Sequence, residues 1–527
     1  MKRIIYALLL VLVLMCGIHI GAKYQEARSA AKYQNLWAES DNKVNTLLEL
    51  VREIYVDSVS TDSLIEAAIP PMLSKLDPHS VYLNEKDRQS ANEDLQGSFS
   101  GIGVQFSIEN DTIMISNVLS GGPCQKKGIL AGDRIVKVDS VDFTGKGITS
   151  DKVVSTLRGL KGTKVKLGIK RAGQKDLLEY DIIRDDITVS SIDVSYMIDE
   201  ATGFVRVNKF GEKTHAEFMN AMAGLKQSGA KRYIIDLRDN GGGYLDQATL
   251  MVNEFLQKGD LIVYTEGRIG RDDTYADGNG QFKDAKFVVL INEWSASASE
   301  IFSGAMQDND RAAIVGRRSF GKGLVQQQYD LDAKSSVRLT VARYYTPSGR
   351  CIQKPYTNYS EDISKRYENG EMEDSSKYTH DTTESKYTTK KGRIVYGGGG
   401  ITPDVFVPIE KEGINSYYTA LCNKALYDFA FNYADQHRAE LTAYGTPEKM
   451  ADALADSDIE EKLADFAAEK AKIRKNSHML QQSRQLLKRN INLCLARNIF
   501  GDQGYFILRN KTDNMVSAAI KSLDEQH

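Results

Sequence analysis

Three serines alternate with alanines at Ser295-Ala296-Ser297-Ala298-Ser299, before an apolar-periodic helix expected over about 300–307. One lysine, Lys322, follows in the glycine-flanked turn Phe320-Gly321-Lys322-Gly323. A hydroxyl at a helix N-terminus sits in a positive field that favours a developing alkoxide. Small neighbours at Ala296 and Ala298 let a polypeptide approach. A serine nucleophile needs a base. His215, His380, His437 and His478 carry no surrounding pattern, and no G-x-S-x-G elbow occurs. Lys322 is the other candidate. A lysine accepts a proton only when neutral, which burial among apolar groups or a nearby cation favours. Phe320, Leu324 and Val325 supply an apolar setting, and Gln326, four residues after Lys322, can orient the amine.

Each residue also has a plainer reading. Ser297 with Glu300 is a capping box, the serine an N-cap and the glutamate closing it. Lys322 fits an exposed turn lysine. GRRSFGKG matches the first part of a phosphate-binding loop, but Gly323 stands where Ser or Thr should hold magnesium. A third element is the turn Arg238-Asp239-Asn240-Gly241-Gly242-Gly243 after an apolar run at 233–237. Consecutive glycines between strand and helix can aim backbone N–H groups at an oxyanion, or simply make a turn.

Around these residues, strands at about 203–207, 233–237, 261–264, 287–291, 312–315 and 337–345 alternate with helices at about 214–227 and 245–256. Apolar strands alternating with helices imply a largely covered sheet, the core spanning 186–410. Residues 353–392 are rich in Ser, Thr, Tyr and charge, which predicts a mobile insertion. Residues 97–185 carry short strands at regular spacing with one or two helices, as in a small barrel. Residues 23–96 and 411–527 read as helical, except for a short apolar piece at 504–508. His79 follows the turn start Asp77-Pro78 and reads as structural.

At 527 residues, the chain is long enough for about three or more domains. Its net charge of −3 gives no basic footprint for nucleic acid. The five cysteines are too dispersed for a disulfide framework, and no zinc-type pairs occur. Lys2 and Arg3 precede an apolar run at 4–18, and Gly21-Ala22 can mark cleavage. Residues 1–22 therefore read as a signal peptide or an uncleaved anchor, and both export the remainder. Cys16 invites a lipoprotein reading that Met15 disfavours.

The 97–185 module resembles a PDZ domain, through GIGVQF and GPCQKKGILAGDRIVKVD. The resemblance implies capture of a peptide C-terminus by the loop of Gly101, Ile102, Gly103 and Val104, the peptide adding as a strand. NEWSASASEIFSGAMQDNDRAAIVGRRSFGKGLVQ, with DLRDNGGG, is similar to the signature of the carboxyl-terminal processing (tail-specific) serine peptidases. That resemblance, over roughly 76–407, implies a crotonase-like α/β core with an inserted PDZ domain between helical terminal regions. It implies Ser297 as nucleophile, Lys322 as base and Gln326 as its support. The oxyanion hole falls to Gly242 or Gly243 together with Ala298. Arg158 is similar to an arginine that couples the PDZ module to the active site in some members. The implied activity is Ser–Lys endoproteolysis of proteins with free C-terminal tails, with neither metal nor cofactor. The implied location is the bacterial periplasm or cell envelope, with membrane attachment through the leader if uncleaved, and a homodimer as an implied assembly. Two alternatives stand beside it: a non-catalytic PDZ scaffold that recruits protein tails, and an acyl-CoA enzyme of crotonase type.

Overall fold

The computed structural model describes residues 13–24, 42–109, 111–119, 121–171, 173–378 and 385–525. The chain divides into two compact units, residues 1–82 and 83–527. In the first, helices Lys43–Ile54 and Thr61–Leu73 are capped by Asn42 and Ser60, whose side chains accept from backbone N–H groups of the first turn. The leader reading falls partly on residues 1–12, outside the described residues; residues 13–24 are helical. Among the described residues no helix is long and apolar enough to cross a membrane.

The second unit is built on a six-stranded sheet in the order Ile192–Met197, Thr202–Val207, Arg232–Asp236, Lys286–Ile291, Ala313–Gly316, Val405–Phe406. The first pair is antiparallel and the others are parallel. Strand Lys286–Ile291 explains its own composition. Phe287, Val289 and Ile291 enter one core with helices Thr214–Gln227, Leu245–Asn253 and Ala298–Asp308, while Val288 and Leu290 enter a second with helix Asn514–Glu525. A parallel strand covered on both faces reads as a continuous apolar run. Beside this sheet, Leu324–Asp330 pairs with Ser336–Tyr345, and Leu261–Gly267 joins that strand to Gly270–Tyr275, all antiparallel.

The β-rich module has the order Val104–Glu109, Thr112–Val118, Arg134–Val138, Lys164–Lys170, Leu178–Ile183. Its core joins these strands to Val153 and Leu157 of helix Ser150–Leu157. Strand Val104–Glu109 is an edge strand, with one side unpaired within the sheet. The module enters and leaves the chain through a two-stranded neck, Ser98–Gly101 against Asp185–Thr188. The mixed α/β core, the inserted β-rich module and the helical terminal regions agree with the expected fold class.

Three local expectations need correction. The helix after the serine run begins at Ala298, two residues before the expected start, because Ser297 is its N-cap. The apolar piece at 504–508 is helical: it belongs to the second of two helices within Ser477–Lys511, which meet at a kink at Gly501 (φ 70°). Residues 353–392 carry packed structure, although 379–384 lie outside the described residues. Helix Asp362–Glu368 and strand Lys386–Thr388 are formed there, the strand pairing with Ile394–Tyr396 just beyond it, and Lys354, Ile363, Arg366, Glu371 and Met372 are buried. Paired charges do the anchoring that aliphatic residues usually do. Arg318 meets Glu371 at 2.6 and 2.8 Å, and Lys354 meets Asp362 at 3.1 Å.

Candidate active site

At the C-terminal ends of the parallel strands lies a cleft of about 850 Å³. Ser297, Ala298, Lys322, Gln326, Gly242 and Gly243 all line it. They come from the turn after strand Arg232–Asp236, the start of helix Ala298–Asp308, the loop before strand Leu324–Asp330 and, for Gln326, that strand itself.

The three alternating serines differ in what their hydroxyls do. The Ser295 Oγ donates to Leu237 O at 2.8 Å and accepts from the Asn292 N–H at 3.0 Å. The Ser299 Oγ donates to Asn240 O at 2.8 Å. Both residues are fully buried, whereas Ser297 is partly exposed and faces the cleft. Ser297 also has φ 56° and ψ −114°, a strained conformation for a residue with a side chain. Ser295 and Ser299 therefore have structural roles. Ser295→Ala and Ser299→Ala are each expected to lose about 1–2 kcal/mol of stability in urea unfolding. Cleavage of a protein substrate should stay within about tenfold of wild type, since both hydroxyls point away from the cleft chemistry. A complete loss in either folded variant would move the nucleophile away from Ser297.

The glycine turn is held to the serine run by Asn240, which is fully buried. Its carbonyl accepts from the Ala296 N–H at 3.0 Å and from Ser299 Oγ, while its Nδ2 donates to Val207 O at 2.9 Å. Its Oδ1 accepts from the Gly242 N–H at 2.9 Å. A Cβ on Gly242 (φ 100°) would lie 2.7 Å from Ser297 Cβ and 2.9 Å from Ala298 N, so only glycine fits there. Gly243 forms a parallel bridge with Phe210: Phe210 N–H donates to Gly242 O and Tyr244 N–H to Phe210 O. In such a bridge the peptide N–H of Gly243 itself points away from Phe210. Of the two glycines left open by the sequence, Gly242 has its N–H committed, and Gly243 is the better placed donor.

Glu300 joins the two halves of the site. It is fully buried, and its carboxylate accepts from Ser297 N–H at 2.9 Å, Lys322 N–H at 2.9 Å, Gly321 N–H at 2.7 Å and Ser319 Oγ at 2.5 Å. Burial pushes its carboxyl above the usual carboxylate range, opposed by these four donors. The capping-box glutamate thus also fixes the loop that carries Lys322. On the other side, the Tyr344 hydroxyl lies 2.5 Å from Lys322 O and 3.1 Å from Ser297 O. Burial raises the Tyr344 hydroxyl well above its ordinary value, so it stays a donor. Gln326 lines the cleft from strand Leu324–Asp330, and its Nε2 reaches Thr340 Oγ1 at 3.4 Å.

The buried charges under the turn are paired. Burial alone would raise Asp236, but Arg238 and Arg206 outweigh it and hold its carboxyl below the carboxylate range. Arg238 also reaches Asp513 at 2.6 Å, which ties the last helix to this end of the sheet.

The remaining predicted residues lie elsewhere. Gly101 ends strand Ser98–Gly101, Val104 opens the edge strand, and Ile102 and Gly103 form the loop between them. Ile102 O accepts from Cys124 N–H and Gly103 O from Leu119 N–H, which fixes the loop. Gly103 (φ 79°) is pressed against Gly122 Cα, 3.1 Å from where its Cβ would sit. Arg158 pairs with Glu93 and stacks 4.5 Å from the Phe99 ring centroid. It lines a second cleft that meets the first at Asp94, Val189 and Lys209. Asn240, Tyr344, Ser319 and the wider role of Glu300 were missed by sequence reasoning. Only the S-x-x-E spacing of Ser297 and Glu300 carried a signal for any of them.

Comparison with known proteins agrees with this organisation. Residues 201–364 match the model of peptidase family S41, and residues 100–182 match the PDZ domain model. Residues 17–87 match the N-terminal domain of the activating protease CtpB, and residues 417–501 match a family of unknown function. The chain is 40% identical over 313 residues to a carboxy-terminal-processing protease of Bartonella bacilliformis, covering 58% of this chain and 71% of the relative. It is 36% identical over 314 residues to the carboxy-terminal processing protease CtpA of Bacillus subtilis, covering 59% and 66% respectively. Among solved structures, the photosystem II D1 C-terminal processing protease is 26% identical, covering 71% of this chain and 93% of that one, with a TM-score of 0.36. The chain belongs to peptidase family S41, among the carboxy-terminal processing proteases that carry a PDZ domain.

Proposed function

We propose that this protein is an exported serine endopeptidase that captures the C-terminal tail of a protein substrate and cuts it with a Ser297–Lys322 dyad. One observation carries the reading: a single buried carboxylate, Glu300, holds the backbone of Ser297 and of Lys322 on the wall of one cleft. Neutral Lys322 removes the Ser297 proton as Oγ attacks a peptide carbonyl. The N–H groups of Gly243 and Ala298 hold the oxyanion. Lys322 then gives the proton to the leaving amine, and water, activated by the same lysine, hydrolyses the acyl-enzyme. Gln326 orients the amine between these steps.

The tail is read by the loop of Gly101, Ile102, Gly103 and Val104, with the peptide added to the open edge of strand Val104–Glu109. The basic start and apolar run of residues 1–22 support export to the periplasm or cell envelope, by a cleaved leader or a retained anchor. The test is a protein bearing an unstructured apolar tail, offered with a free C-terminus and with an amidated one. The free form should be cut at least about tenfold faster, because the loop's N–H groups select a carboxylate. An intact free tail after prolonged incubation overturns the peptidase reading. Equal cleavage of both forms overturns tail capture alone.

A further inference from the structure

The loop carrying Lys322 has a complete set of backbone partners, and four of the ten come from the segment whose composition predicted a mobile insertion. From the core side, Phe320 N–H donates to Ser295 O, and the N–H groups of Gly321 and Lys322 donate to Glu300. Lys322 O and Gly323 O accept from the hydroxyl and the N–H of Tyr344. From the outer side, Gly323 N–H donates to Gln353 Oε1 at 2.9 Å, and Gly321 O accepts from Lys354 N–H at 3.0 Å. Ser319 O and Phe320 O accept from the two terminal nitrogens of Arg366, at 2.8 and 3.3 Å. Ser319 N–H pairs with Ile401 O. Every N–H and C=O from Ser319 to Gly323 is thereby accounted for.

Arg366 is 3% exposed and is itself held by Asp362 at 2.8 Å. The same Asp362 carboxylate binds Lys354, whose ammonium lies 3.7 Å from the Phe320 ring centroid and 4.3 Å from that of Tyr359. One guanidinium therefore spans two consecutive carbonyls of the base-bearing loop. It is anchored on a short helix, Asp362–Glu368, that does not line the cleft. A planar fork of donors suits this task, and a lysine can satisfy only part of it.

We propose that Arg366 is a positioning residue for the general base: through the 353–366 segment it sets the backbone of the Lys322 loop, and so the distance and dryness of the amine relative to Ser297. This rests on the peptidase reading above, since it assigns Lys322 the role of base. A misplacement of about 1 Å in a catalytic group costs roughly a hundredfold in rate.

The test uses the full chain as wild type, Arg366→Met and Arg366→Lys, with the free-tailed substrate and with hydrogen exchange of the peptide covering residues 319–323. Arg366→Met should lower kcat about 30- to 100-fold with KM within about threefold. The acidic limb of its pH–rate profile should move to higher pH, because a loosened, wetter loop favours the charged amine. Arg366→Lys should recover part of kcat, and exchange of the Gly321–Gly323 amides should quicken by at least about tenfold in the methionine variant. Unchanged kcat, acidic limb and exchange in the folded methionine variant overturn the proposal, as does a rise in KM at constant kcat. If Arg366→Met does not fold, the lysine variant decides by the same three readouts. If wild type cuts nothing, the peptidase reading fails, and loop exchange alone then decides whether Arg366 sets the loop.

Discussion

Ser297→Ala is expected to lower kcat by about 10⁴-fold or more while leaving the fold and tail binding intact, and Lys322→Ala to do the same. The two losses should not add. A nucleophile and its base act as one unit, so the double variant should be about as inactive as either single one. Stability gives a second, independent mark. Ser297 holds φ 56° and ψ −114°, and alanine there keeps the strain. Glycine removes it, so Ser297→Gly should be equally inactive yet more stable than Ser297→Ala by about 1 kcal/mol. Steady-state cleavage, anisotropy of a labelled tail peptide and urea unfolding measure the three quantities. A folded Ser297→Ala enzyme that cuts within tenfold of wild type would remove Ser297 from the chemistry. Equal stability of the alanine and glycine variants would mean that the backbone relaxes when the hydroxyl is lost.

The site was legible where its chemistry is local in the chain. The alternating serines, the glycine-flanked Lys322 and the glycine turn each occupy a few consecutive residues, so type and spacing marked them as candidates, and the resemblance to a peptidase signature gave them their expected roles. Partners distant in sequence were not legible. Glu300 announces its link to Ser297 through S-x-x-E spacing, but nothing in the spacing announces Gly321 and Lys322, which reach it across a loop and a strand. The choice between Gly242 and Gly243 was open for the same reason. It turns on the Asn240 side chain taking the Gly242 N–H. The insertion was misread because composition counts aliphatics, whereas Arg366, Lys354 and Glu371 are buried as members of charge pairs. Strands such as Lys286–Ile291 were legible because burial on both faces leaves an uninterrupted apolar run.

Glu300→Gln is expected to lower kcat by about 100-fold or more and to change how the rate depends on pH. The carboxylate oxygens accept from four donors, two on each oxygen. A glutamine amide keeps one accepting oxygen and turns an NH₂ toward two of those donors, so either Ser297 and Lys322 or Ser319 and Gly321 lose their anchor. Burial raises the Glu300 carboxyl above its unfolded value, so the group favours folding most at pH below the unfolded value, and that contribution is lost as pH rises through the folded one. Catalysis runs the other way, because the clamp requires the ionised form. In wild type, two groups must therefore lose a proton on the acidic side, Glu300 and Lys322. The logarithm of kcat/KM should rise with a slope approaching about two at low pH, and with a slope of about one in Glu300→Gln. A wild-type slope of one, with the variant within tenfold of wild-type kcat, would mean that the clamp tolerates a neutral side chain. Ser297 and Lys322 would then be held by the Tyr344 contacts, by the Asn240 grip on the neighbouring Ala296 and Ser299 and by the outer grip of Arg366, and the buried charge would not be needed for the loop's geometry.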